Sequence, residues 1–158
     1  MSNEWTQPAG PSGPAPGGGA GPSGPRASFG ERLIAGIIDG VILGVFGAVV
    51  SLIIGANAGR GLGVLIGFAY FGYLEGSLSG QTIGKRVMNI RVIDFQTGGQ
   101  LGVGKALLRH LMRYVSACVC LVGFFWMLWD KERQTWHDKV AGAVVVPTSA
   151  YPVDAWPG

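Results

Sequence analysis

Charge is scarce in this chain. Only 13% of its 158 residues are Asp, Glu, Lys or Arg, about half the share of an ordinary soluble domain, which argues against a water-soluble globule. Histidine and cysteine are scarcer still, with two of each. His110 and His137 stand far apart, with no HExxH pair, no phosphate-binding glycine loop ending in Gly-Lys-Ser/Thr and no nucleophile motif at any Ser or Cys. No signature of catalysis is present, so the chain reads as a non-enzyme without cofactor or metal. Cys118 and Cys120, two positions apart, would point about 200° apart on a helix and so cannot share one metal ion; they are expected to be buried apolar thiols. A basic segment followed by a short apolar stretch, the mark of a cleaved signal peptide, is missing from the start, so the first apolar span is expected to serve as its own insertion signal.

What the chain does have is a long apolar run. From Leu33 to Ile54 only Asp39 is charged, and the run is long enough as a helix, about 33 Å, to cross a hydrocarbon core of about 30 Å. Ser28 with Glu31 forms the pattern of a capping box, which starts the helix near Ser28 and lets it run to Ile54. Gly55 to Gly61 is expected to be a turn, and a second span to follow from Leu62 to about Ser79 with Glu75 as its one formal charge. Glycines at four-residue spacing, Gly36, Gly40 and Gly44 in the first span and Gly72, Gly76 and Gly80 around the end of the second, predict a close antiparallel helical hairpin.

Beyond it, Gln81 to Arg113 carries Lys85, Arg86, Arg91, Lys105, Arg109 and Arg113 against only Asp94. Between apolar spans such a segment orients the chain with its basic side in the cytoplasm and touches anionic headgroups, so nucleic acid is not the expected partner. The β-branched run Val87 to Ile93, followed by Thr97-Gly98-Gly99, predicts a short cytoplasmic β-hairpin. Lys105, Arg109 and Arg113 recur every fourth residue, as on an amphipathic helix at the membrane surface. Tyr114 to Trp129 is short for a crossing and contains Gly123; it reads as a third, weaker span or a re-entrant one.

Residues 1–27 are rich in Pro and Gly, with six prolines and seven glycines between Pro8 and Pro25, and are expected to be a disordered tail. Residues 28–146 form the transmembrane domain and 147–158 a short C-terminal tail. The expected fold is thus an all-α membrane protein, with a tight transmembrane hairpin, a third weaker or re-entrant span and a short β-hairpin.

Several segments together carry a family resemblance: Arg32-Leu-Ile-Ala-Gly-Ile-Ile-Asp39, Gly80-Gln-Thr-Ile-Gly-Lys-Arg86, Arg91-Val-Ile-Asp94, Leu108-Arg109 and Trp136-His-Asp-Lys-Val-Ala-Gly142 before Val144-Val-Val. In order and spacing these resemble the bacterial RDD family, over about Ser28 to Val146. The family is named for one arginine and two aspartates, which fall by position on Arg32, Asp39 and Asp138. The resemblance implies a small multi-pass protein of the bacterial inner membrane, for which transport of unknown ligands is suggested. Little chain separates Arg109 from Asp130, less than in longer members, which puts a fourth crossing in doubt.

Five residues are therefore candidates for function or for ion pairing: Arg32, Asp39, Glu75, Arg86 and Asp138. Arg32 and Asp39, seven residues apart, share a helix face, and Arg32 reads as an interfacial anchor. Asp39 and Glu75 would lie at similar depth, about 10 and 7 Å in from the cytoplasmic side, where two acids cannot both remain charged without a proton, a cation or a basic partner. Two readings follow. In one the acids handle a proton or cation in transport. In the other they are structural, with Asp39 paired to Lys85, Arg86 or Lys139 and Asp138 paired to the Gly84-Lys85-Arg86 segment, in a membrane interaction or assembly protein. Expected partners are the lipid bilayer and a second copy or another membrane protein; the N-terminus is expected in the cytoplasm.

Overall fold

The computed structural model describes residues 24–119 and 122–149. Most of the Pro/Gly-rich tail, Cys120 and the end of the C-terminal tail lie outside the described residues.

Helix α1 spans Phe29–Ile54 and opens with the capping box expected for it: Ser28 Oγ accepts from the Glu31 amide, and the Glu31 carboxylate accepts from the Ser28 amide. Of its 26 residues only Ala35 and Asp39 are buried. Leu33, Ile37, Val41, Val45 and Leu52 are all at least half exposed. Such a helix is long and apolar enough to cross a membrane and covers almost none of that apolar surface with protein, the opposite of a soluble core helix.

Gly55 alone, at φ 89°, links α1 to α2 (Ala56–Gly76), so the expected turn from Gly55 to Gly61 is largely helical. The two helices meet most closely where Gly59 lies on Ser51: a Cβ at Gly59 would come within 2.5 Å of the Ser51 Cα. The glycines of α1 do something else. Gly36, Gly40 and Gly44 face open space, so they do not form the hairpin seam read from their spacing. The glycines of α2 instead receive helix α4 (Val103–Cys118): Gly72 lies against Leu107, and Gly76 against the Val103 backbone, where a Cβ would sit 2.6 Å from Cα. Phe68, Phe71, His110 and Tyr114 fill the rest of this contact, with His110 stacked on Phe71 at 4.5 Å between centroids.

The expected β-hairpin is not formed. Strand β1 (Ile90–Asp94) pairs antiparallel with β2 (Ala143–Pro147), Val92 opposite Val145. The loop after β1 instead folds on Asp94, whose carboxylate accepts from the Gln96 and Thr97 amides, and the β-branched run at 144–146 satisfies the strand's backbone. One face of this two-stranded sheet packs Ile90, Val92, Ala143 and Val145 with Ala27, Ala35, Leu101, Ala106 and Ala141. Ala27 donates its amide to Val145 O at 3.0 Å, so the packed region begins ahead of Ser28.

Helix α3 (Ile83–Val87) and helix α6 (Trp136–Ala141) are short. Between α4 and α6, α5 (Val122–Phe125) runs into a 3-10 turn, Trp126–Leu128. The α4 axis and the axis of Val122–Leu128 differ by 115°. The stretch expected to provide a third span is thus sharply bent, and Gly123 packs where a Cβ would meet the Ser116 hydroxyl at 2.5 Å. Cys118 at the end of α4 is an exposed free thiol, not a buried one.

Candidate functional site

The ion pairs converge where the Arg32 end of α1, the C-terminal half of α2, α3, α4 and α6 meet. Asp39 projects from the one protein-covered stripe of α1. Its Oδ1 accepts from the Tyr70 hydroxyl and the Gly84 amide, both at 2.8 Å, and its Oδ2 from the Thr82 hydroxyl at 2.6 Å. Thr82 is also the N-cap of α3, accepting from the Lys85 amide, so Asp39 binds the start of that helix, where backbone donors point outward. Close approach is what the glycine permits: a Cβ on Gly84 would stand 2.1 Å from Ala35 O. Asp39 is 1% exposed and is held by neutral donors, not by Lys85, Arg86 or Lys139. Arg86 is exposed and forms no ion pair among the described residues; Lys139 pairs with Asp130.

Glu75, fully buried on α2, accepts from Lys85 Nζ and Arg109 Nη1, and Arg113 Nη2 stands 3.6 Å from it. Burial pulls the Lys85 ammonium down to about 8, with Glu75 opposing that fall. Arg109 reaches across to the other acid, its Nε donating to Asp138 Oδ1 at 2.6 Å. Asp138 is the N3 residue of α6 and closes a capping box with Thr135; its Oδ2 also accepts from Arg32 Nη1 at 2.5 Å. Burial would raise the Asp138 carboxyl pKa, but Arg109 and Arg32 hold it well below the ordinary carboxylate range. His137, buried beside Phe124, is pushed down to about 3 by loss of solvent and remains neutral at physiological pH.

The result is a continuous chain of opposite charges, Arg32–Asp138–Arg109–Glu75–Lys85, tying α1 to α6, α4, α2 and α3. Asp138 pairs with Arg32 and Arg109 in place of the Gly84-Lys85-Arg86 segment. Asp39 and Glu75 do not share a site; each has its own donors. Arg32 turns inward as a bonded member of the chain, with Nη2 also donating to Arg133 O at 2.8 Å. Among the described residues no cluster of His, Cys, Asp and Glu could hold a metal ion. The central residue, Arg109, is 2% exposed and went unrecognised in the sequence because its four-residue spacing with Lys105 and Arg113 mimics a solvated helix face. The other sign was its place in the Leu108-Arg109 motif.

The RDD family matches residues 26–142. This chain belongs to the RDD family. Its Arg32, Asp39 and Asp138 therefore sit within the matched region, two of them bonded to each other and the third anchoring α3. A protein named proline-rich antigen homolog, from Mycobacterium tuberculosis, is 40% identical over 85 residues, covering 51% of this chain and 35% of its own length. The proline-rich antigen of Mycobacterium leprae is 42% identical over 77 residues, 49% of this chain and 30% of its own. YxaI of Bacillus subtilis is 28% identical over 83 residues, covering 52% of this chain and 54% of its own. The RDD chain thus spans about a third of the mycobacterial relatives it matches. No solved structure matches it.

Proposed function

We propose that this RDD membrane protein is a non-transporting interaction or assembly protein, whose buried acids fix the shape of a multi-pass core. The observation that carries this reading is the saturation of the acids: Asp39 by three neutral donors, Glu75 by Lys85 and Arg109, Asp138 by Arg109 and Arg32. A proton- or cation-carrying acid needs a vacant oxygen facing a path, and a carboxylate flanked by guanidinium groups repels a cation. In this reading α1 and α2 both cross the inner membrane, the N-terminus lies in the cytoplasm, and the Pro/Gly-rich segment is presented there beside the basic residues. The mycobacterial relatives are named for proline richness, a composition this chain repeats from Pro8 to Pro25. The open glycine face of α1 offers room for a second copy or a membrane partner.

The test is ion flux in proteoliposomes with wild type, Asp39→Asn and Glu75→Gln. The expected result is proton and monovalent-cation flux no greater than that of protein-free vesicles. Flux above that level that Asp39→Asn abolishes while the variant remains folded would establish transport in its place.

A further inference from the structure

A cavity of about 440 Å³ lies between α1, α4, α5 and the loop before α6, inside the usual range for a small-molecule site. One wall is apolar, from Leu33, Ile37, Phe124, Phe125 and Met127; the other carries Arg32, Lys85, Arg109 and Arg113. We infer that this cavity binds the phosphate headgroup of an anionic phospholipid, with the start of its acyl chain lying along the exposed face of α1.

Charge gives the first argument. Arg32, Lys85, Arg109 and Arg113 pair with Glu75 and Asp138, and Asp39, bonded to neutral donors, adds a third negative charge beside them, so this buried cluster holds one more positive charge than negative. Both oxygens of Asp39, the one acid in the cavity wall, are already bonded to donors. An excess cation out of water is costly, and a monoanionic headgroup removes that cost. Unmet donors give the second. Arg32 Nε and Arg113 Nε are buried and have no hydrogen-bond partner among the described residues, and both residues line the cavity. Among the described residues, the Arg113 guanidinium makes only a 3.6 Å approach to Glu75 and a stacking contact 4.8 Å above the Phe71 ring. Its guanidinium is suited to a two-pronged bond with phosphate oxygens.

The position of the mouth selects lipid over free phosphate. Leu33 and Ile37, at the rim, are 50% and 55% exposed on the helix that is long and apolar enough to cross a membrane. An occupant entering past them must have an apolar body, which inorganic phosphate lacks. The inference does not depend on whether the protein transports ions.

The full chain is taken up in vesicles of equal phosphatidylglycerol and phosphatidylcholine, extracted in mild detergent, and its retained lipid counted by native mass spectrometry. Expected is one phosphatidylglycerol per chain, enriched over phosphatidylcholine by about fivefold, the selectivity one basic residue supplies at an anionic surface. Arg113→Gln should abolish that enrichment while leaving Glu75 bonded to Lys85 and Arg109. Gly36→Leu is the second variant: it lines the cavity, its Cβ meets nothing within 4 Å, and the added side chain should block the site in a folded protein. Equal retention of both lipids, retention unchanged in both variants, or displacement by inorganic phosphate at matched concentration would each overturn the inference.

Discussion

Arg109 and Asp138, 29 residues apart in sequence, meet through a 2.6 Å bond from Nε to Oδ1, both side chains at most 2% exposed. Removing the guanidinium leaves Asp138 with Arg32 and Glu75 with Lys85, each partly uncompensated in a buried site. Arg109→Gln should therefore destabilise by about 3–5 kcal/mol, read as a fall in the thermal midpoint in detergent. Arg109→Lys should recover little, since one ammonium cannot span two acids in the fork geometry. A Gln variant as stable as wild type would mean that the network contributes nothing.

Asp39 gives a contrasting expectation. Asp39→Asn keeps one carbonyl for the Gly84 amide and Tyr70 hydroxyl and disturbs the Thr82 bond, for a loss of roughly 1–3 kcal/mol. Adding Arg86→Gln should restore nothing, because Arg86 is exposed and is not its partner. Rescue by that second change, measured as a double-mutant cycle on the thermal midpoint, would contradict the observed donors.

Two glycines should behave in opposite ways. Gly76→Ala drives a methyl toward the Val103 backbone and should separate α4 from α2, lowering yield and thermal midpoint. Gly40→Ala adds its methyl to open space, and the gain in helix propensity of about 0.5–1 kcal/mol should leave the midpoint unchanged or higher. A loss at Gly40 equal to that at Gly76 would reveal that another chain covers this face.

Acid should destabilise the fold in two stages. His137 binds a proton near 6.5 when unfolded but only near 3 in the fold, so between those values the unfolded state holds more protons and stability falls as pH drops. Asp138, depressed well below 3.8, keeps its contribution above that value and loses it on further acidification. His137→Gln should shrink the first stage, so that the gap between thermal midpoints at pH 7 and pH 5 narrows. An unchanged difference between them would remove His137 as its source.

The limits of the first helix were legible because the capping box and the apolar run are local signals, and both reappear at Ser28–Glu31 and Leu33–Ile54. Which faces meet was not. Glycine at four-residue spacing occurs in α1 and α2 alike, yet only α2 uses it, because α4 arrives from far along the chain. The same distance hid the β1–β2 pairing, whose partners lie some fifty residues apart in sequence. Of the five candidate residues, Arg32, Glu75 and Asp138 come together in one network, Asp39 of α1 sits beside it bonded to the start of α3, and Arg86 stands outside.

The Ala27–Val145 backbone bond and the Arg32–Asp138 pair both join the start of α1 to residues more than 100 positions later. During synthesis α1 consequently emerges with its arginine and its aspartate unmatched, and the clasp closes only after almost the whole folded region has left the ribosome. Insertion into the bilayer and locking of the core are thus separate events in time. In the interval, Arg32 depends on water and headgroups for its solvation, and hydrophobicity, without the help of that ion pair, has to hold α1 in place.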